Sequence, residues 1–188
     1  MIGWVLMGIV VLFILWVIII YNRLVSLRNE VQNAWKQIDV QLKRRHDLIP
    51  NLVSIVKGAL EFEQDTLEKV INARARAVSA RSTQERAIAE NMLTEALGRL
   101  FAVMENYPQL RSNENIMQLQ EELTSTENRI SFARQLYNDL VANYRIKQEI
   151  FPNNIIASVF GGFGKEEYFQ AQAMEREVPM TDISIRPK

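Results

Sequence analysis

The chain begins with an uninterrupted apolar stretch. Its first charged residue is Arg23, and residues 9–20 read IVVLFILWVIII. About 20 such residues in a helix span roughly 30 Å, the thickness of the hydrocarbon core of a bilayer. Trp4 and Tyr21 lie near the two ends, where aromatic rings prefer the headgroup layer. We therefore predict a single membrane-spanning helix over residues 1–22, with membrane lipid as its partner and Trp4 and Tyr21 as its interface anchors.

Two other interpretations of this stretch are a cleaved signal peptide and a buried core helix. A signal peptide has a basic segment before its apolar core and a cleavage site of small residues after it. This chain has no Lys or Arg before Arg23, and the sequence that follows the apolar run is YNRLVSLRN. A helix that is apolar on all sides is unusual in the core of a domain of this size. Both points favour an uncleaved anchor.

Apolar residues then recur at helical spacing in the first polar segment. From Val31 to Ile49 they follow one another at steps of four and three, and Arg45 is the one polar interruption of this stripe. Pro50 removes a backbone donor, so either the helix kinks there or a new helix begins with Pro50 at its first position. Asp47 is suited to cap such a new helix.

Two further helical patterns follow. The second runs from Asn51 to about Arg81. Ser82, with Glu85 three residues later, has the spacing of a capping box and predicts the start of a third helix that ends near Pro108.

The fourth pattern is the most regular. Ser112 or Asn113 is suited to cap it, and apolar or small residues recur at steps of three and four from Ile116 to Tyr144. At 1.5 Å per residue, a helix of roughly 37 residues is about 55 Å long. Helices of this length joined by short turns pack as antiparallel bundles. We therefore predict an all-α protein, in which a single N-terminal transmembrane helix precedes an elongated antiparallel bundle of long helices over residues 23–151.

The character of the sequence changes after Phe151. Residues 152–188 comprise an apolar, glycine-containing segment, a predicted short helix around Glu166 to Glu177, and a tail in which Ile183 and Ile185 alternate with polar residues. The apolar segment either folds back onto the bundle, joins protomers or enters a membrane. We treat five of its residues as candidate partner or inter-subunit contacts: Ile155, Ile156, Val159, Phe160 and Phe163.

Composition excludes several classes of function. The 22 basic and 22 acidic residues balance, which argues against a nucleic-acid partner. The chain has no cysteine and one histidine, His46, so neither a disulfide framework nor a cluster of soft metal ligands is available. Phosphate-cradle, nucleophile-elbow and zincin motifs do not occur in the sequence. We predict no catalytic, cofactor-binding or metal-binding residue, and a protein that is not an enzyme.

The densest basic run is Lys43, Arg44 and Arg45, followed by His46. If the helix is straight, Lys43 lies about 33 Å beyond Tyr21, whereas lipid charge is screened within about 8 Å in physiological salt. These three basic residues are therefore interpreted as contacts to a partner or to another subunit, on a polar flank of the bundle, rather than as a lipid-binding site.

Basic residues also predict the orientation of the anchor. Arg23, Arg28 and Lys36 follow the apolar run closely, and no basic side chain precedes it. An excess of Lys and Arg favours the cytoplasmic side. We expect the bundle to lie in the cytoplasm.

Several motifs closely resemble the LemA family of bacterial membrane proteins. They are YNRLVSLRN at residues 21–29, AWKQIDVQLKRRHDLIPNLVSIVK at 34–57, FARQLYNDLVANYR at 132–145, and EYFQ at 167–170. The resemblance covers essentially the whole chain and implies a membrane helix followed by a long-helix bundle in the inner membrane of a bacterium. It implies no established biochemical activity. Phe62 and Arg145 depart from the family pattern, where His and Asn are expected.

The leading functional hypothesis is a non-enzymatic, membrane-anchored helical scaffold or adaptor that forms a homo-oligomer and recruits other membrane proteins of the envelope. The alternatives are a membrane-tethered module that senses a ligand between its helices, and an accessory subunit of a membrane protease.

Overall fold

The computed structural model describes residues 1–58 and 63–169 and is built from helices. In chain order they are α1 (Ile2–Val56), α2 (Gln64–Ser79), α3 (Thr83–Met104), α4 (Pro108–Arg111), α5 (Glu114–Glu149) and α6 (Asn153–Phe160). No strand occurs in either described range. The prediction of an all-α fold with a long apolar helix at its N-terminus is confirmed.

Helix α1 passes from the apolar stretch into the bundle without interruption. Its 55 residues correspond to about 80 Å at 1.5 Å per residue. The apolar part is long and apolar enough to cross a membrane, with a mean hydropathy of 2.9 over 18 residues and none of that window buried. Because this part of α1 does not contribute to a protein core, the buried-core-helix interpretation fails.

Pro50 lies inside α1, so of the two alternatives the helix continues past it, and the predicted start of a second helix at Asn51 is wrong. The helix continues to Val56, and α2 begins only at Gln64, so residues 51–56 belong to α1 rather than to a second helix. Asp47 is accordingly an interior residue of α1 and not a cap. Proline leaves the carbonyl four residues earlier without its helical donor, and here Arg74 Nε of α2 donates to that oxygen of His46 at 2.7 Å. The replacement bond allows α1 to continue.

The predicted starts of α3 and α5 are confirmed. Ser82 Oγ accepts from the N–H of Glu85 at 3.1 Å, and Glu85 Oε2 accepts from the N–H of Ser82 at 3.3 Å. The backbone N–H groups of Arg81 and Ser82, which both donate to the Glu85 carboxylate, hold its pKa below the usual value. At α5, Asn113 is the cap, and its Oδ1 accepts from two backbone N–H groups of the first turn.

The main packing partner of α1 is α5, and α2 packs mainly on α3. The α1–α5 pair is antiparallel, since Trp35 contacts Tyr137 while Arg45, further along α1, contacts Glu127, earlier in α5. The predicted packing stripe of α5 is buried or half-buried, where α5 packs on α1 and on the neighbouring helices. The heptad-like stripe is therefore used within the chain.

Two apolar clusters form the core. The first, far from the apolar end of α1, is centred on Leu52, Val56, Leu93 and Leu100. The second, nearer that end, is formed by α1 and α5 and is completed by Phe169, which packs on Trp35. Phe169 is the last residue of a segment, 161–169, without helical structure. The predicted helix from Glu166 therefore does not begin there, and its remainder, like Ile183 and Ile185, lies outside the described residues.

Candidate interaction surfaces

A buried polar cluster lies between the two apolar clusters. Arg45 is only 3% exposed, and its guanidinium donates to Thr94 Oγ1 at 2.7 Å and lies 3.3 Å from Glu90 Oε2 and 3.0 Å from Glu127 Oε2. His46 Nε2 lies 2.6 Å from Glu90 Oε1. Helices α1, α3 and α5 thus meet through one charged cluster.

This cluster changes the interpretation of Arg45. Contrary to the sequence-based interpretation, its side chain faces inward and is unavailable to a partner. Arg45 lies three residues after Leu42 and four before Ile49, both of which are buried, so it occupies the same stripe of α1. That spacing was the available signal. Because removing a charge from water is costly unless it is paired and hydrogen-bonded, the partners on α3 and α5 are what make this position tolerable.

The other two residues of the basic run are on the surface. Lys43 is exposed, and Arg44 is exposed with one oxygen of Glu122 at 3.8 Å from its guanidinium. An exposed pair at this distance is weak. Lys43 and Arg44 therefore leave positive charge open to solvent on the flank of the α1–α5 pair.

The apolar segment after α5 divides between interior and surface. Ile156 is buried, and Phe163 is half-buried against the second apolar cluster. Ile155, Val159 and Phe160 are exposed. The segment does fold back onto α1 and α5, but three of its five candidate residues are left on the outside.

The predicted interface residues are found along the apolar part of α1. Trp4 is exposed near its start. Tyr21 is at its other end, where its ring lies 5.4 Å from that of Phe160 and 5.6 Å from that of Phe163. The α6 segment is therefore brought to the level of the predicted membrane boundary.

An exposed apolar face on the α1–α5 pair was missed at the level of sequence. Val40 of α1 is 63% exposed, and Phe132 and Leu136 of α5 are 73% and 46% exposed. They line one groove, whose rim carries Lys36 and Arg129. Large apolar residues that fall outside the packing stripe of an amphipathic helix were the available signal. We call Val40, Phe132 and Leu136 the α1–α5 face.

A second groove, of about 330 Å³, lies between α2 and α3. Lys69, Arg76 and Arg99 contribute basic groups to it. Lys69 pairs with Asp65, and Arg99 pairs with Glu95, each at one turn's distance on its own helix. These local pairs reduce the charge that the groove presents to an anion.

Two tyrosine side chains are buried in the second apolar cluster, where α1 and α5 pair. Tyr137 donates to the carbonyl of Glu167 at 2.8 Å. Burial, reinforced by the carboxylates of Glu166 and Glu167, raises its pKa to about 12. Burial also raises the pKa of Tyr144. Both rings therefore contribute to the core of the bundle. No group of three or more metal-ligating side chains occurs in the described part of the chain.

Comparison with known proteins agrees with this architecture. The family model described as LemA family matches residues 34–183. A relative named magnetosome protein MamQ 2, from Paramagnetospirillum magneticum, is 27% identical over 86% of this chain and 68% of its own length. Protein LemA from Metamycoplasma hominis is 25% identical over 82% of this chain and 71% of its own length. The names of these relatives specify no reaction.

Proposed function

Because this chain belongs to the LemA family, and is a membrane-associated helical protein, we propose that it is a non-enzymatic scaffold that is anchored by residues 1–22 and self-associates through the α1–α5 face. The observation that carries the proposal is Phe132, a large apolar side chain that is 73% exposed next to Val40 and Leu136. An aromatic side chain left in water at the centre of an apolar groove is typical of an interaction site.

Size measurement in detergent tests self-association. The double variant Phe132→Ser/Leu136→Ser removes apolar surface without touching a buried residue, and Ile88→Ser is a matched control on the exposed side of α3. We expect wild type and Ile88→Ser to give the same oligomer by light scattering, and the double variant to give a smaller one. Helical circular dichroism should be equal in all three. Wild-type and double-variant particles of equal mass would contradict the proposal.

The proposed location is the inner membrane of a bacterium, with the bundle in the cytoplasm. Arg23, Arg28 and Lys36 after the apolar run support this orientation. Since the chain lacks cysteine, Ser131→Cys creates one thiol on the exposed surface of α5. A membrane-impermeant maleimide should label it only after the inner membrane is opened. Labelling of intact spheroplasts would place the bundle on the opposite side.

An adaptor role is proposed for the exposed basic flank. Lys43 and Arg44 present positive charge about 33 Å beyond Tyr21 along α1, which is suited to an acidic surface of another membrane protein rather than to lipid. Photo-crosslinking from Asp47, an exposed neighbour one turn later on α1, should capture another membrane protein in cells. The same crosslink should weaken in Lys43→Ala/Arg44→Ala, and equal yields would contradict the role of these charges.

The α2–α3 groove favours a second candidate, a ligand-sensing module. Its volume and its Arg76 guanidinium are compatible with a small anion. A ligand that binds the folded protein raises its unfolding temperature. The second candidate therefore predicts thermal shifts with small anions in wild type that are lost in Arg76→Ala, while the scaffold proposal predicts none.

A further inference from the structure

The exposed apolar surface of α6 is continuous with the apolar part of α1. Phe13, Trp16 and Val17 of α1 face Phe151, Pro152 and the outer side of α6 across one groove, whose walls are almost wholly apolar. Phe151 is 77% exposed and Val159 is 72% exposed. Exposed side chains beside a membrane-spanning helix differ from ordinary surface residues, because lipid rather than water surrounds them.

The groove lies beside the apolar part of α1, below the level of Tyr21. Phe13 precedes Tyr21 by about two turns, so at 1.5 Å per residue it lies about 12 Å deeper along the helix axis. Phe151, at the turn between α5 and α6, lies on the same groove as Phe13. Phe160, at the end of α6, is next to Tyr21. The chain therefore descends beside α1 at the end of α5 and returns to the level of Tyr21 along α6.

The chemistry of the segment suits this position. Residues 150–164 contain no Asp, Glu, Lys or Arg, whereas Glu149 and Lys165 border them. A charge-free stretch of this kind has little electrostatic cost in entering the acyl region of a bilayer.

The polar side chains of α6 make hydrogen bonds to the end of α5 and within α6 itself. Asn153 Nδ2 donates to the carbonyl of Lys147 at 2.9 Å, and Asn154 Oδ1 accepts from the N–H of Ile155 at 2.9 Å. Ser158 Oγ donates to the carbonyl of Ile155 at 2.8 Å. Because lipid offers no hydrogen-bond partner, internal bonding of this kind is what a lipid-exposed helix needs.

The return of the chain to the surface is also built in. Gly161 and Gly162 adopt φ values of 63° and 75°, in the region that favours glycine, and end α6. Arg28 Nη1 donates to the carbonyl of Gly162 at 2.8 Å, and the guanidinium carbon of Arg28 lies 5.9 Å from the centre of the Phe163 ring. A basic side chain beside aromatic rings is typical of the membrane–water interface.

We propose that the α5–α6 turn and α6 form a re-entrant hairpin, embedded in the same leaflet as the adjoining end of the anchor, with lipid as the occupant of the apolar surface formed by Phe151, Ile155 and Val159. This inference rests on the proposed anchoring by residues 1–22. It assigns a second membrane-embedded element to a chain with one spanning helix, and it fixes the bundle against the membrane at two points.

Spin labels in the full-length protein test this in proteoliposomes of phosphatidylethanolamine and phosphatidylglycerol. Single cysteines are placed at Phe151, Val159, Ile9 in the anchor, and Ser131 on the surface of the bundle, each in an otherwise cysteine-free chain. Oxygen is concentrated in lipid, and a nickel chelate is concentrated in water. We expect the ratio of oxygen to nickel accessibility at Phe151→Cys and Val159→Cys to be several-fold higher than at Ser131→Cys and to approach that at Ile9→Cys.

Each outcome decides the matter. A water-like ratio at Val159→Cys and Phe151→Cys, with a lipid-like ratio at Ile9→Cys, would overturn the hairpin and leave the anchor intact. A water-like ratio at Ile9→Cys would instead overturn the anchor. Exclusion of both reagents from Val159→Cys, together with spin–spin broadening, would mean that a second copy covers α6, and it would also overturn the assignment to lipid. Circular dichroism confirms that each labelled variant is folded.

Discussion

At the scale of single residues, Glu90 is central to the buried polar cluster. Its two carboxylate oxygens lie 3.3 Å from the guanidinium of Arg45 and 2.6 Å from Nε2 of His46. Glu90 and Arg45 are both almost fully buried. A buried charge that loses its partner costs far more than an exposed one, because water cannot replace the lost interaction.

We therefore predict that Glu90→Ala lowers the free energy of unfolding by about 3 kcal/mol, the size typical of breaking a buried pair. Lys69→Ala is the matched control, since the exposed Lys69–Asp65 pair should be worth less than about 0.5 kcal/mol. Urea unfolding in detergent, followed by circular dichroism, gives both values. Equal effects of the two substitutions would show that Arg45 does not depend on Glu90.

Tyr137 gives a second prediction at this scale. Its pKa of about 12 in the folded protein exceeds the value of about 10 expected in the unfolded chain. Because the folded state holds the phenolic proton more tightly, this contribution to stability is complete below about pH 10 and is lost as the pH rises through about 12. The free energy of unfolding should therefore fall between about pH 10 and about pH 12.

The variant Tyr137→Phe isolates this contribution, because the other titrating groups remain. It should be less stable than wild type at about pH 9, by about 1 kcal/mol for the lost hydrogen bond, and its stability should decline less steeply at higher pH. Urea unfolding of wild type and Tyr137→Phe at about pH 9 and about pH 12 makes the comparison. Parallel declines in the two proteins would contradict the assigned pKa.

At the scale of elements, the continuation of α1 through Pro50 depends on α2. Arg74 Nε supplies the hydrogen bond, at 2.7 Å, that the carbonyl of His46 lacks because residue 50 has no N–H. We predict that Arg74→Met costs about 1–2 kcal/mol of unfolding free energy, the penalty of an unsatisfied acceptor. In the Pro50→Ala background the cost should be smaller, since the backbone N–H of residue 50 then reaches the same oxygen.

A double-mutant cycle of Pro50→Ala and Arg74→Met measures this coupling. We expect an interaction free energy of about 1 kcal/mol, within the range found for residues that share a partner. Additive effects of the two substitutions would mean that Arg74 contributes to stability by another route.

The sequence predicted those elements whose determinants are local, and it failed where a distant residue is involved. Capping at Ser82 and Asn113 is local, and so is the spacing of α5, which is why α3 and α5 were predicted from residues alone. The sequence left open whether α1 continues past Pro50 or a new helix begins there, because the donor that reaches the carbonyl of His46 comes from Arg74, 24 residues from Pro50. A distant donor leaves no mark on the local pattern.

The surfaces show the same division. The anchor follows from composition, and Arg45 could have been recognised as buried from its spacing in the α1 stripe. The α1–α5 face could be predicted only in part: the sequence shows apolar residues outside the packing stripes, but Val40 and Phe132 become neighbours only when α1 and α5 pair. The position of Phe151 in the same groove as Phe13 likewise depends on where α5 ends relative to α1.

At the scale of the whole molecule, the described residues include an apolar end on α1 and an apolar face on the α1–α5 pair. The apolar end of α1 is mostly exposed and is long enough to cross a bilayer. The α1–α5 face lies further along the same helix pair, so copies held in one membrane can meet side by side. Confinement to a membrane raises the effective concentration of such copies, which favours assembly through a small surface.

Disulfide crosslinking in native membranes is the most direct test of self-association. The chain has no cysteine, so Gln37→Cys places one thiol in the groove of the α1–α5 face and leaves Phe132 in place, and Ser131→Cys places one on the polar side of α5. After mild oxidation, we expect a covalent dimer from Gln37→Cys, with little or none from Ser131→Cys. Monomer alone from both variants, or equal dimer from both, would contradict self-association through this face.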